Sequence, residues 1–157
     1  MDYYVEDNAL GKGIAGEKRA QYSFVPTRGA MKNRLLTFQD IVARYRRGEN
    51  LFDITIEKWA GIKDSFHALE ELSELGPIIR SARSGGAFCL EYQESCLICP
   101  LERGCRDQEG TYQTIVKLMY LYASSGHREF KNQTIRHIDK FLEELEEYKE
   151  EFRRRLN

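Results

Sequence analysis

Cys89-Leu-Glu-Tyr-Gln-Glu-Ser-Cys96-Leu-Ile-Cys99-Pro100-Leu-Glu-Arg103-Gly-Cys105 holds every cysteine of the chain. The spacing is Cys-x6-Cys-x2-Cys-x5-Cys, compact enough for four thiolates to converge on one centre without help from elsewhere. Thiolate is a soft ligand that selects zinc, copper(I) or iron–sulfur clusters over hard, oxygen-seeking ions. Two features favour a cluster over zinc. Structural zinc sites usually take their ligands as two Cys-x2-Cys knuckles separated by about a dozen residues or more, and this loop has one knuckle with its outer partners six and five residues away. Pro100 follows the knuckle directly; it fixes its own backbone and removes an N–H, which suits a loop turned around a cluster. Zinc, and thiols that are unligated or form disulfides, stay open as alternatives.

The same spacing resembles the [4Fe-4S] cluster loop of the endonuclease III and adenine-mismatch DNA glycosylase family. The part from Cys96 through Cys99-Pro100 to Cys105 is also similar to the cluster segment of iron-staple nucleases and of the archaeal transcription factor E beta subunit. The resemblance implies a [4Fe-4S] cluster on Cys89, Cys96, Cys99 and Cys105 in a setting of nucleic-acid processing. It covers 17 of 157 residues, and the catalytic parts of a glycosylase do not accompany it. Leu75-Gly76-Pro77-Ile78 lacks the second glycine of a helix-hairpin-helix, and a further 52 residues follow Cys105 where that family's domain ends. The chain is not read as a glycosylase.

A length of 157 residues fits one domain with a modest core. The formal net charge of -1 points neither toward nor away from nucleic acid. No apolar run approaches the ~18 residues of a membrane span, and the N-terminus lacks the apolar core of a signal peptide. Cysteines gathered in one loop suit a reducing compartment, so a soluble cytoplasmic protein is expected, with no membrane partner.

Residues 1–36 read as an irregular arm in which Gly11, Gly13, Gly16 and Gly29 interrupt Tyr3, Tyr4, Tyr22, Phe24 and Val25. Gly11-Lys-Gly-Ile-Ala-Gly16 has the form G-x-G-x-x-G, but the polar stretch before it is no buried strand, so a nucleotide site is not expected. The remainder, 37–157, reads as a single all-α domain with a cluster loop at 84–110 joining N- and C-terminal helical halves. Thr37 with Asp40 predicts a capped helix running to Gly48, with Phe38, Ile41, Val42 and Tyr45 on one face. Asp53 is the expected cap of a short helix stopped by Gly61. A further helix is expected from Asp64 or Ser65, with Phe66, Leu69, Leu72 and Leu75 inward and Gly76-Pro77 closing it, and a last turn over 78–82. Thr111 to Ala123 predicts a core helix ended by Ser124-Ser125-Gly126, apolar on more than one face. The last helix is expected from about Asn132 to Arg155 on the stripe Ile135, Ile138, Leu142, Leu145, Tyr148 and Phe152. That stripe can pack on its own core or, with the N-terminal arm, serve self-association or a larger assembly.

Arg28, Lys32, Arg34, Arg44, Arg46 and Arg47 face a single acid, Asp40, within 28–47. With Arg103 and Arg106 in the loop they are the candidate phosphate-tracking residues; solvation and helix-dipole complementation would also account for the segment. Arg80, Arg83, Arg103 and Arg106 bracket the cysteines and could offset the negative charge of a thiolate-bound cluster. Asp53, Glu57 and Lys58 do not make a nuclease centre, which needs Glu-x-Lys on a strand. His67, His127 and His137 stand at no spacing that makes a catalytic base. No catalytic residue is assigned. The expected function is a non-catalytic cluster-binding accessory protein near nucleic acid. The alternatives are a redox subunit and a zinc-stapled interaction module.

Overall fold

The computed structural model describes residues 34–93 and 95–157. Residues 1–33 of the expected N-terminal arm, including Arg28, Lys32 and the glycines at 11–16, lie outside the described residues. The fold is all-α: seven α-helices and no strand among the described residues. In order they are α1 (Phe38–Arg46), α2 (Leu51–His67), α3 (Leu75–Arg83), α4 (Ala87–Tyr92), α5 (Glu102–Arg106), α6 (Thr111–Ser125) and α7 (Arg128–Leu156), with short 3₁₀ turns at Leu72–Glu74 and Cys96–Ile98. None of these helices is long and apolar enough to cross a membrane.

Helix α1 starts where its cap predicts. The Thr37 hydroxyl accepts from the Asp40 N–H at 3.0 Å, and Asp40 accepts from the Thr37 N–H at 2.9 Å, which satisfies two of the orphan donors of a helix start.

Two corrections concern the next stretch. The first expected helix does not stop at Gly61 but runs on to His67 as α2, 17 residues capped by Asn50, whose side chain accepts from the N–H groups of Phe52 and Asp53. The second expected helix, from Asp64 or Ser65 to Leu75, does not form; its residues are divided between the end of α2, a non-helical link, the 3₁₀ turn Leu72–Glu74 and the start of α3. Gly61 sits inside α2 because the incoming chain crosses there: a Cβ at this position would stand 2.2 Å from the Arg34 carbonyl oxygen. Gly76-Pro77 does not close a helix either. Both lie in the first turn of α3, where proline's missing N–H had no partner to lose; the expected last turn over 78–82 is the body of the same helix. Helix α7 begins at Arg128, four residues before the expected start, while α6 ends on left-handed Gly126 as read.

Helix α7 lies along α2 and α6, and the three share one core. Trp59, Ile62 and Phe66 come from α2, Ile115 and Met119 from α6, Ile138, Phe141 and Leu145 from α7, with Leu75, Ile78 and Ala82 added by α3. Trp59 meets Phe141 edge-on at 5.2 Å between ring centres, and Phe66 meets Tyr122 at 5.7 Å. Such aromatic pairs contribute about 0.5–1.5 kcal/mol beyond their buried area. The stripe of α7 therefore packs on its own domain as far as Phe152, which reaches Phe52 at 5.9 Å; the last turn beyond it is exposed. Ion pairs Lys63–Asp139 at 2.5 Å and Lys149–Asp53 at 2.6 Å border the α2–α7 seam.

Alanine in place of a mid-helix glycine ordinarily gains about 1 kcal/mol of helix propensity. Gly61→Ala is expected to do the reverse and cost about 2 kcal/mol, because the added methyl overpacks against backbone; a melting temperature at or above wild type would contradict the crossing at Arg34. The Thr37–Asp40 cap has a pH signature. Hydrogen bonds from Arg34 and Thr37 hold the Asp40 carboxyl down from 3.8 to about 2, so the carboxylate stabilises the fold above the unfolded value and that contribution is lost as pH falls toward about 2. The melting-temperature gap between wild type and Asp40→Ala is expected to be full at pH 7 and to narrow steadily between about pH 4 and pH 2.

Candidate metal centre

The four cysteines sit on three short elements between α3 and α6. Cys89 is on α4, Cys96 opens the 3₁₀ turn and Cys99 follows it, and Cys105 is near the end of α5. Phe88 and Leu101, which alternate with these cysteines along the chain, are buried in the common core. Each anchors the segment beside it, so the loop is fastened to the bundle at two points. Gln93 bends the chain out of α4 with φ of 48°, a left-handed conformation that a non-glycine side chain adopts at a cost of about 1–3 kcal/mol. At the far end Gly110 brings the chain onto α6. A Cβ there would stand 2.9–3.1 Å from the carbonyls of Gly104, Asp107 and Arg103, so only glycine lets the loop close that tightly.

All four cysteines line one cavity of about 70 Å³, walled by Phe88, Tyr92 and Leu101 with Glu102 and Arg106 at its edge. The Leu101 N–H donates to Cys99 Sγ at 3.5 Å. Burial pushes up the Cys99 and Cys105 thiols, and the neighbouring cysteines push them further. No cluster of three or more His, Cys, Asp or Glu side chains arranged to hold a metal ion is found among the described residues. The described side chains as they stand are not grouped to hold a metal, but the chemistry of the donor set is the kind a thiolate-ligated centre uses. The cavity offers four soft sulfurs, a mostly apolar wall and a backbone donor aimed at one sulfur, the kind of outer contact that orients ligands and tunes such centres.

Cys89 and Cys105 also line a second cavity, of about 130 Å³, on the side of the bundle. Lys58 of α2 is enclosed there, 3% exposed, and donates to the Ser84 carbonyl at 2.8 Å. Burial lowers its ammonium to about 8, against the opposing pull of Cys89 and Cys105. The sequence singles out Lys58 only as part of a rejected nuclease set, although it falls on the buried stripe Ile54–Lys58–Ile62 at helical spacing.

The candidate phosphate-tracking residues divide. Arg34 pairs with Asp40 at 3.0 Å, Arg44 with Glu49 at 2.6 Å and Glu57 at 2.7 Å, and Arg47 with Glu49 at 2.6 Å. Arg46, Arg103 and Arg106 are exposed. Helix α1 packs against α4, with Tyr45 donating to Glu91 at 2.8 Å, so the basic helix and the cysteine loop are neighbours. Of the other bracketing arginines, Arg83 donates to the Tyr120 hydroxyl at 2.9 Å. No protein family, curated protein or solved structure matches the chain.

Replacing any one of Cys89, Cys96, Cys99 or Cys105 by Ser is expected to lower bound metal and soluble yield together, read by metal analysis and size-exclusion chromatography. A monodisperse, metal-free Cys99→Ser protein with the wild-type melting temperature would show that the fold stands without the centre.

Proposed function

We propose that this chain is a [4Fe-4S] cluster-binding accessory protein acting beside nucleic acid or a nucleic-acid-processing partner, with Cys89, Cys96, Cys99 and Cys105 as the ligands. The observation that carries this reading is the single cavity lined by all four cysteines of the chain. A cluster in that cavity would supply a cross-link between segments that otherwise rest on two core anchors. Its role is mainly structural, since a small helical domain gains folding energy directly from a bound centre. The chain's own part is to close water out with Phe88, Tyr92 and Leu101 and to hold Cys99 through the Leu101 N–H. Exposed Arg46 on α1 and Arg103 and Arg106 on α5 are the residues proposed to reach phosphates, because none of them forms an ion pair with an acid among the described residues. Arg34, Arg44 and Arg47 would have to exchange an internal carboxylate for a phosphate.

A second reading, an electron-transfer subunit, is favoured by one feature. Leu97 and Ile98, between two of the ligands, are 78% and 71% exposed, which would leave a cluster edge close to a docking partner.

Anaerobic purification followed by iron, sulfide and zinc analysis is the test of the centre. About four irons and four sulfides per chain are expected; about one zinc in a colourless protein would replace the cluster with a zinc staple. Binding to a short oligonucleotide should weaken steeply with salt and weaken further in the triple variant Arg46→Glu, Arg103→Glu, Arg106→Glu. Reversible reduction with no salt-dependent binding would favour the electron-transfer reading.

A further inference from the structure

Lys58 is the only charged side chain fully enclosed among the described residues. An ammonium has three N–H donors, and one of them is used, on the Ser84 carbonyl. None of the residues lining its cavity is Asp or Glu. The acidic groups that act on it are the thiols of Cys89 and Cys105. The geometry is close: a Cβ on Gly86 would stand 3.8 Å from Lys58 Nζ, and one on adjacent Gly85 would stand 3.9 Å from Cys89 Sγ. The two glycines thus set no side chain of their own against the ammonium or the thiol, and Lys58, Cys89 and Cys105 line the same cavity. Nζ also lies 5.9 Å from the centre of the Trp59 ring, and that indole face adds a weak attraction for the cation.

Burying a lone ammonium costs several kcal/mol unless a negative charge stands against it. Neutral thiols do not supply that charge, but thiolates bound to a metal do, and four of them give either an iron–sulfur cluster or a zinc ion a net negative charge. We propose that Lys58 is the buried counter-cation of the metal–thiolate centre, seated on its Cys89–Cys105 side. The inference rests on the reading of the cysteines as metal ligands. It gives the centre two unlike edges. One edge, at Cys89 and Cys105, faces the buried positive charge of Lys58, and the other, at Cys96 and Cys99, carries exposed Leu97 and Ile98. Cys89 is itself exposed and Cys105 half-buried. No bond is made or broken at Lys58; it is a positioning residue that acts through the ligands.

The two states respond oppositely to its removal. In the metal-bound protein Lys58→Met deletes the charge that offsets the thiolates. In the metal-free protein it replaces an uncompensated buried cation by an apolar side chain of similar length. The test compares wild type, Lys58→Met and Lys58→Arg, purified anaerobically, by metal and sulfide content, by the rate of metal loss to excess chelator, and by melting with and without metal. Lys58→Met is expected to lose metal on the order of 10-fold faster than wild type, as outer partners of metal ligands generally do when removed. Lys58→Arg is expected to recover most of that difference, and metal-free Lys58→Met to melt no lower than metal-free wild type. If the centre is a cluster, its reduction potential should also fall in Lys58→Met. Wild-type metal retention in Lys58→Met would overturn the role of Lys58 and leave the centre intact. An equal loss of stability with and without metal would do the same, since it marks a merely structural lysine. A wild-type protein that binds neither iron nor zinc would overturn the ligand reading itself. Should Lys58→Met be insoluble, Lys58→Gln answers the same chelator assay with the same expectations.

Discussion

The burial of Phe88 and Leu101 in the same core as Trp59, Phe141 and Ile115 is the constraint on which the site depends. A loop over 84–110 holding four cysteines, four glycines and a 3₁₀ turn has too little regular structure to hold a shape by itself. Seating one large apolar side chain beside Cys89 and another between Cys99 and Cys105 fixes both ends of the loop against α2, α6 and α7. Each such burial is worth about 1.5–3 kcal/mol, enough to outweigh the ordering of the residues beside it and too little to order the whole segment. The stretch between the anchors contains Gln93 in a costly left-handed conformation and a turn whose apolar tip is exposed. Such a segment is shaped further by whatever its cysteines bind.

Electrostatics gives the same region its sense of direction. Burial and the neighbouring cysteines push up the Cys99 and Cys105 thiols, so at those two positions the pocket favours protonated sulfur. A bound metal would displace the thiol protons, which would couple binding to pH and to folding at once. On the core side the protein already provides one positive charge. On the solvent side the cations are Arg103 and Arg106, screened by water and salt and therefore weaker per charge. A centre bound there, as proposed, would have a buried charge behind it and a diffuse, adjustable one in front.

How much of this was legible in the sequence follows from which forces are local. The Thr37–Asp40 capping box, the Gly126 stop and the apolar stripe of α7 depend on residues within a turn or two of each other, and they read correctly. Gly61 was taken for a stop because glycine is usually one. What places it inside α2 is a backbone crossing from Arg34, some 27 residues away, and no local pattern records that. Pro77 misled for a related reason: proline marks a helix boundary without saying which end, and here it is the beginning. His127 caps α7 with no side-chain hydrogen bond, so the start of that helix left no signature. The cysteine spacing pointed to the four thiols that line one cavity, yet Lys58, 31 residues before the first cysteine, comes beside Cys89 and Cys105 only through the packing of α2 against the loop.

The basic segment shows how far a charge count can be from a charged surface. Arg34, Arg44 and Arg47 look available in the sequence, but Glu49 and Glu57 lie just beyond the window that made the segment seem one-sided. Exposed ion pairs of this kind are worth little to stability, about 0–1 kcal/mol each, so they are a small barrier to rearrangement. A phosphate backbone offers denser negative charge than a single carboxylate and gains from counterion release as well. The pairs therefore do not prevent α1 from meeting nucleic acid; they lower the gain per contact and shift the weight of any interface toward Arg46, Arg103 and Arg106. Because α1 packs on α4, an interface centred there would include the cysteine loop, and losing the metal would loosen α4 and α5 together. Nucleic-acid affinity in this protein would then track metal content, without any base or phosphate touching the centre.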